Sequence, residues 1–129
     1  MNLLLDASAF LWLCAGGKQL SATAAEALAD PASTVNVSAT TAWEIGIKHA
    51  KGKLKLPAPL HEWFSAMVSH HRLILWPIEA ATAIASTGLP LIHRDPFDRL
   101  LVALAQERRF TLVTADNAIP KYPNLKTIW

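Results

Sequence analysis

The chain has 129 residues, of which 52% are hydrophobic and 17% charged, and its formal net charge is +2. These values predict one folded domain with a single core and exclude a disordered chain, while the charge is too small to indicate a nucleic-acid partner by itself. The single Cys14 has no partner for an internal disulfide or a zinc knuckle, which indicates a reducing, cytoplasmic environment.

The first segment predicts a short buried strand from Asn2 to Leu5, followed by a helix from Ala7 to Cys14 that ends at Gly16 and Gly17. The apolar run is interrupted by Asp6 and is too short to span a bilayer, so we expect no membrane association. No basic leader and cleavage site precede it, so we expect a soluble cytoplasmic protein without a signal peptide.

The rest of the chain alternates helical and strand patterns. Further helices are predicted from Ser21 to Asp30, Ser38 to Lys51, Pro57 to His70, Glu79 to Ser86 and Asp95 to Arg109. Further strands are predicted from Ser33 to Val37, Leu73 to Trp76, Phe110 to Val113 and Lys126 to Trp129. This alternation predicts an α/β fold, a parallel sheet with helices on both faces. Ligands of such sheets bind beyond the carboxyl ends of the strands.

Four acidic residues each adjoin an apolar segment that must be buried, and these are Asp6, Glu44, Asp98 and Asp116. Two like charges about 4 Å apart repel by roughly 4 kcal/mol at an effective dielectric of about 20, so converging acids need a cation. Carboxylates without a cysteine or histidine ligand set suit Mg²⁺ or Mn²⁺, as in metal-dependent phosphodiester hydrolases. Because the acids repel, we expect Asp116→Asn to leave the metal-free protein as stable or more stable.

Each acid also has an ordinary structural interpretation. Asp6 could be the N-cap of the helix that follows it, and Asp116 could cap a turn. Glu44 could form an i,i+4 ion pair with Lys48 on an exposed helix face. These roles do not exclude metal binding, and the argument for a site depends on the joint placement of the acids.

Asp95 and Asp98 are distinguished by helix geometry. Asp95 precedes Pro96 and is the natural N-cap, with an ion pair to Arg99 expected four residues later. Asp98 lies one turn into the helix on its buried face, so it is the predicted ligand. Among the histidines we expect no catalytic set, and His93 is interpreted as a loop residue that could at most touch substrate.

Four segments in this order resemble PIN-domain proteins, most closely the VapC-type ribonuclease toxins of bacterial toxin–antitoxin pairs: LLLDASAFLW, SATTAWEIGIKHAKGKLKLP, HRDPFDRLLVALA and LVTAD. The resemblance spans essentially the whole chain and implies a PIN domain over residues 1–129, with five parallel strands in the order 3-2-1-4-5. It also implies that the four acids are catalytic and bind Mg²⁺ or Mn²⁺. A homodimer, an RNA substrate and a cognate antitoxin follow from it as well.

The reaction that the resemblance implies is metal-assisted hydrolysis of single-stranded RNA, which leaves a 5′-phosphate and a 3′-hydroxyl. The candidate substrate-binding residues are Thr114, Arg99, Lys48 and Arg94. Thr114 could instead orient a carboxylate or pack at the strand end. The lysine run from Lys51 to Lys55 is either a rim that contacts phosphate or a solvated helix end.

The predicted first helix is apolar around nearly its whole circumference, so its outer face must be covered. One candidate cover is the helix from Ser21 to Asp30. The other is an antitoxin tail with a basic side chain that reaches the acids, in which case Trp12 and Phe10 are the expected antitoxin contacts.

Two other functions fit parts of the pattern. A phosphotransfer enzyme with an aspartate nucleophile after its first strand usually carries a second aspartate two residues later, where this chain has Ser8. A non-catalytic RNA- or protein-binding module of the same fold would show no metal-dependent cleavage.

Overall fold

In a computed structural model that describes residues 1–129, the strands and helices follow each other in the order that the sequence predicts, with two helices between each of the first four strands. The strands are β1 (Asn2–Leu5), β2 (Thr34–Ser38), β3 (Ile74–Trp76), β4 (Thr111–Val113) and β5 (Lys126–Ile128). The helices are α1 (Ala7–Cys14), α2 (Ala22–Ala29), α3 (Ala39–Ala50), α4 (Leu60–His70), α5 (Ala80–Thr87) and α6 (Pro96–Arg108), with a 3-10 turn at Ile119–Lys121. None of the helices combines the length and the hydropathy that crossing a membrane requires.

All strand pairs are parallel, and the sheet order is β3-β2-β1-β4-β5, which confirms the predicted fold. The central strand β1 is covered on both faces. Leu3 and Leu5 belong to one hydrophobic core, which also receives Ile45 of α3 and Phe64 of α4. Leu4 points to the other core, which receives most of the apolar face of α6. Side chains therefore alternate between two cores, as a parallel sheet buried on both faces requires.

The helix starts follow the caps predicted from sequence. The side chains of Asp6, Ser21 and Ser38 accept hydrogen bonds from backbone amides in the first turns of α1, α2 and α3. Asp95 caps α6 by accepting from the amide of Phe97 at 2.8 Å. The predicted start at Pro57 is wrong by three residues, because α4 begins only at Leu60 and has no side-chain cap.

Phe10 is a core residue, which corrects its expected role as an antitoxin contact. Its side chain is fully buried. The ring packs against Trp63 and Phe64 of α4, with centroid distances of 5.8 and 5.3 Å. This face of α1 is thus covered by α4, a helix that the sequence analysis did not consider as its cover.

Arg99 points into the protein, which corrects two further expectations, the ion pair with Asp95 and the substrate contact. Its residue is only 9% exposed. Its guanidinium donates to the backbone carbonyl of Ser86 in the last turn of α5, at 2.9 Å. It also donates to three carbonyls of the loop between α5 and α6, at Leu89 (3.0 Å), Pro90 (2.9 Å) and His93 (3.3 Å). Arg99 therefore fixes this loop to α6.

Replacing Arg99 should destabilise the fold. Arg99→Met would leave several carbonyls without a donor, and hydrogen bonds to charged groups contribute about 1.5–3 kcal/mol each, so we expect a loss of about 3 kcal/mol or more in urea unfolding. The control is Arg94→Met, an exposed arginine in the same loop, which should stay within about 0.5 kcal/mol of wild type. If Arg99→Met has normal stability but fails to bind substrate, the structural role is wrong and Arg99 is a substrate contact.

Candidate active site

The four predicted acids meet at the carboxyl edge of the sheet. Asp6 follows β1, and Asp116 lies three residues beyond the end of β4. Glu44 projects from the second turn of α3 and Asp98 from the first turn of α6. All four line one open cleft of about 330 Å³. Parallel strands end at the same edge, and each of these helices begins there, so the topology itself brings the acids together.

Burial makes this cleft unfavourable for negative charge. Asp6 and Glu44 are only 7% and 8% exposed. Desolvation raises the pKa of Asp6 above its usual range, although hydrogen bonds from the amide of Ala9 and from the side chain of Thr114 oppose the shift. Desolvation, aided by the charge of Asp95, raises the pKa of Asp98 to about 7. Without a cation, the Asp98 carboxyl is therefore partly protonated at neutral pH.

His93 is the site residue that the sequence analysis missed. Its Nε2 lies 2.9 Å from Asp116 Oδ2 and 3.3 Å from Asp98 Oδ2. Its Nδ1 accepts from the amide of Asp95 at 3.0 Å, so the neutral ring carries its proton on Nε2, toward the two acids. The position of His93 just outside the cap of α6 was the available clue, but only the folded loop turns its ring into the cleft.

Asp116 and His93 shift each other's pKa. Burial acts to raise the pKa of Asp116, but the hydrogen bond with His93 and the amides of Ala118 and Ile119 lower it below its usual range. Burial acts to lower the pKa of His93, but its hydrogen bond to Asp116 and the neighbouring acid charges raise it. These hydrogen bonds stabilise the Asp116 carboxylate as an anion. The expectation that Asp116→Asn leaves the metal-free protein as stable or more stable therefore does not hold, and the substitution should lower its stability.

The other predicted substrate contacts, Lys48, Arg94 and Thr114, differ in how far they are exposed to solvent. Lys48 Nζ forms the expected i,i+4 ion pair with Glu44 Oε2 at 2.7 Å, but the pair lines the cleft and Glu44 is buried, so the pair does not lie on an exposed helix face. Arg94 is exposed in the loop before α6. Thr114 is 2% exposed, and its hydroxyl accepts from the amide of Asp116 at 3.1 Å. Its placement corrects the expected substrate contact and agrees with the alternative, a residue that orients carboxylates.

The donor set fits a hard divalent cation. Ligand atoms of His93, Asp98 and Asp116 all lie within 4.8 Å of one another, and Asp6 and Glu44 line the same cleft. Carboxylate oxygens dominate this set, as Mg²⁺ and Mn²⁺ prefer. With its proton on Nε2, His93 is a hydrogen-bond donor to the acids rather than a metal ligand. Burial is the main cause of the raised pKa of Asp98, and a cation would offset the smaller contribution of its acidic neighbours.

The fold and the cleft together define a small doubly wound α/β domain with a carboxylate site at its topological switch point. The family model described as PIN domain matches residues 3–125, and the chain therefore belongs to the PIN domain family. The chain is 30% identical to ribonuclease VapC22 of Mycobacterium tuberculosis over 132 aligned residues, which cover 99% of this chain and 98% of that protein.

Solved structures share the fold at lower sequence identity. The VapBC2 complex of Rickettsia felis bound to a promoter DNA fragment has a TM-score of 0.73 at 17% identity, covering 99% of this chain and 98% of that one. The DNA-bound VapBC of Salmonella typhimurium has a TM-score of 0.68 at 17% identity, covering 99% and 97%.

Asp98 determines a pH response of the metal-free protein. Its pKa is raised from an unperturbed 3.8 to about 7, so between these values the folded state holds a proton that the unfolded chain has lost. The free energy of unfolding should therefore fall as the pH rises from about 4 to about 8. His93 adds to this fall. Its pKa is raised above 6.5 in the folded state, so the stability that its proton contributes is lost as the pH rises through the pKa of the folded state.

Urea unfolding in EDTA across this range checks the expectation. Asp98→Asn should flatten the fall and stabilise the metal-free protein at about pH 8. Asp30→Asn removes a carboxylate from the turn before β2, at the opposite edge of the sheet, and should leave the slope as in wild type. An unchanged slope in Asp98→Asn would contradict the raised pKa.

Proposed function

We propose that this protein is a VapC-type endoribonuclease toxin that hydrolyses single-stranded RNA with Mg²⁺ or Mn²⁺ and leaves a 5′-phosphate and a 3′-hydroxyl. The observation that carries the proposal is the convergence of four carboxylates in one cleft of a PIN domain. The nearly full-length similarity to a protein named ribonuclease VapC22 supports the same activity. The alternative of a non-catalytic module gives no reason for maintaining so unfavourable a cluster of acids.

In this mechanism Asp6, Asp98 and Asp116 would hold the ion. When bound, the ion would lower the pKa of a water and offset the charge that develops on the phosphate. Thr114 orients Asp6 and Asp116 through its buried hydroxyl. Lys48 holds Oε2 of Glu44 and leaves Oε1 to position a water or to assist with the ion.

Two basic side chains, those of Lys48 and Arg94, are the candidates for binding the RNA phosphates. The side chain of Lys48 is 47% exposed, so its ammonium can contact a backbone phosphate while it restrains Glu44. Arg94 is exposed in the loop before α6 and is the second candidate. With these groups on the phosphates, the reaction requires neither the ribose 2′-hydroxyl nor a histidine base.

Asp6→Asn should abolish RNA cleavage, because the amide is neutral and binds the ion poorly. The fold should survive, since asparagine is as good an N-cap for α1 as aspartate. The measurement is cleavage of a single-stranded RNA at saturating Mg²⁺ and Mn²⁺, with the product ends identified by a 5′-phosphate-dependent exonuclease. Asp95→Asn is the matched control, which alters a cap and should cost at most about 1 kcal/mol. Full activity of purified Asp6→Asn would refute the assignment.

We infer that a cognate antitoxin binds beside the cleft. An apolar groove of about 420 Å³ runs between α1 and the segment from Leu54 to Pro57, with Trp63 at its floor. Trp12 lines both this groove and the acidic cleft. A partner segment in the groove would therefore pass directly over the acids, and a basic side chain on it would pair with them in a partly desolvated setting.

Trp12→Ala should weaken antitoxin binding by about 2 kcal/mol or more, since buried tryptophans dominate such interfaces. Trp12 packs on Trp129 and keeps part of its surface accessible, so circular dichroism and melting should change little. The antitoxin to use is the product of the adjacent reading frame, measured by calorimetry. Phe10→Ala is the contrasting variant, which should lose about 3–5 kcal/mol of stability. Unfolding of Trp12→Ala would place Trp12 in the core instead.

A homodimer is also part of the proposal. Large apolar side chains are exposed on β3, on α5 and in the loops beside them, at Ile74, Leu75, Ile78, Ile84 and Leu91. Exposed apolar surface is typical of protein–protein interfaces when it is contiguous, so the segment from β3 to the loop before α6 is the proposed subunit contact.

A further inference from the structure

Two aromatic residues stand beside the acidic cleft, and each immediately precedes a site acid in sequence. Trp43 precedes Glu44 on α3, and Phe97 precedes Asp98 on α6. The two rings pack edge to face, with centroids 4.9 Å apart and an interplanar angle of 84°. The two rings therefore meet, as do the acids that follow them in sequence.

The Trp43 ring is held in place but remains open to solvent. Trp43 is 55% exposed, an unusual state for the largest apolar side chain. An edge-to-face contact with Phe97 restricts the indole without covering both of its faces. The fold thus presents a restrained aromatic surface next to the proposed reaction centre.

A basic groove adjoins this aromatic pair. It has a volume of about 210 Å³, and Phe97 lies in its wall together with Lys48, Lys51 and Lys53. Glu44, Lys48 and Asp95 line both this groove and the acidic cleft. The groove and the cleft therefore form one continuous path, with carboxylates at one end and lysines at the other.

We propose that Trp43, braced by Phe97, stacks on an unpaired nucleobase next to the bond that is cleaved, while Lys51 and Lys53 bind the adjoining phosphates. This inference rests on the proposed ribonuclease function. An aromatic face beside a lysine-lined groove is the combination by which proteins bind single-stranded nucleic acid. It also gives a reason for single-strand preference, because bases inside a duplex have both faces covered.

The test measures binding apart from cleavage. A short fluorescent single-stranded RNA is titrated, in Mg²⁺, with Asp6→Asn protein that carries a second substitution, and Kd is read from anisotropy. Trp43→Ala should raise Kd about 5-fold or more, the lower end of the range for one stacked base, whereas Trp43→Phe should largely retain affinity. Single nucleotides of the RNA are then replaced by abasic sites. At one position the replacement should weaken binding to the protein that retains Trp43 but not to the Trp43→Ala protein.

The lysines are tested by salt dependence. Lys51→Ala should reduce the slope of log Kd against log salt concentration by about 0.7, the value for one phosphate contact on a single strand. Lys126→Ala is the matched control, since Lys126 begins β5 at the opposite edge of the sheet, and it should leave the slope unchanged.

The possible failures are distinguishable. If the wild type cleaves RNA and Trp43→Ala binds it as tightly as its parent, the stacking platform is wrong and the nuclease stands. If the wild type neither binds nor cleaves RNA, the proposed function fails and this inference with it. If Trp43→Ala turns a dimer into a monomer in light scattering, Trp43 is a subunit contact and the platform is overturned.

Discussion

Repulsion among the carboxylates at the edge of the sheet is opposed by the packing of the two cores on either side of β1. Leu3 and Leu5 anchor β1 in one core and Leu4 anchors it in the other, so Asp6 cannot move away from its neighbours. Burial first, and then the charges of the neighbouring acids, raise the pKa of Asp98 to about 7. Packing of the two hydrophobic cores thus keeps the acids close together, although their mutual repulsion favours separating them.

Buried polar side chains set the finer geometry. Arg99 holds the loop between α5 and α6 through its carbonyls, and this loop carries His93 and leads into Asp95 and Asp98. In the sheet, Asn36 of β2 donates to Leu3 O of β1 and accepts from Trp76 Nε1 of β3, so one satisfied side chain links three strands. Arg99 and Asn36 hold backbone segments in place and do not line the cleft. A replacement of similar size that lacks their hydrogen-bond donors should therefore disturb the fold.

Three surfaces meet at the same end of the molecule, and they share residues. Trp12 belongs to both the acidic cleft and the apolar groove, and Lys48 belongs to both the cleft and the basic groove. In the proposed function, antitoxin and RNA would therefore approach from adjoining sides and compete over the acids. Inhibition by a bound partner needs no conformational change in this arrangement, because blocking the shared cleft is sufficient.

The sequence by itself determined the elements, their order, the caps at Asp6, Ser21, Ser38 and Asp95, and the set of four acids, because hydrophobic period and capping are local properties. Only the tertiary structure decided which side chains face the cleft. Arg99, Phe10 and Thr114 lie close in sequence to site residues, yet all three point into the protein, while His93 turns toward the acids. The direction of a side chain depends on which partners pack against it across the fold, and no local pattern contains that information.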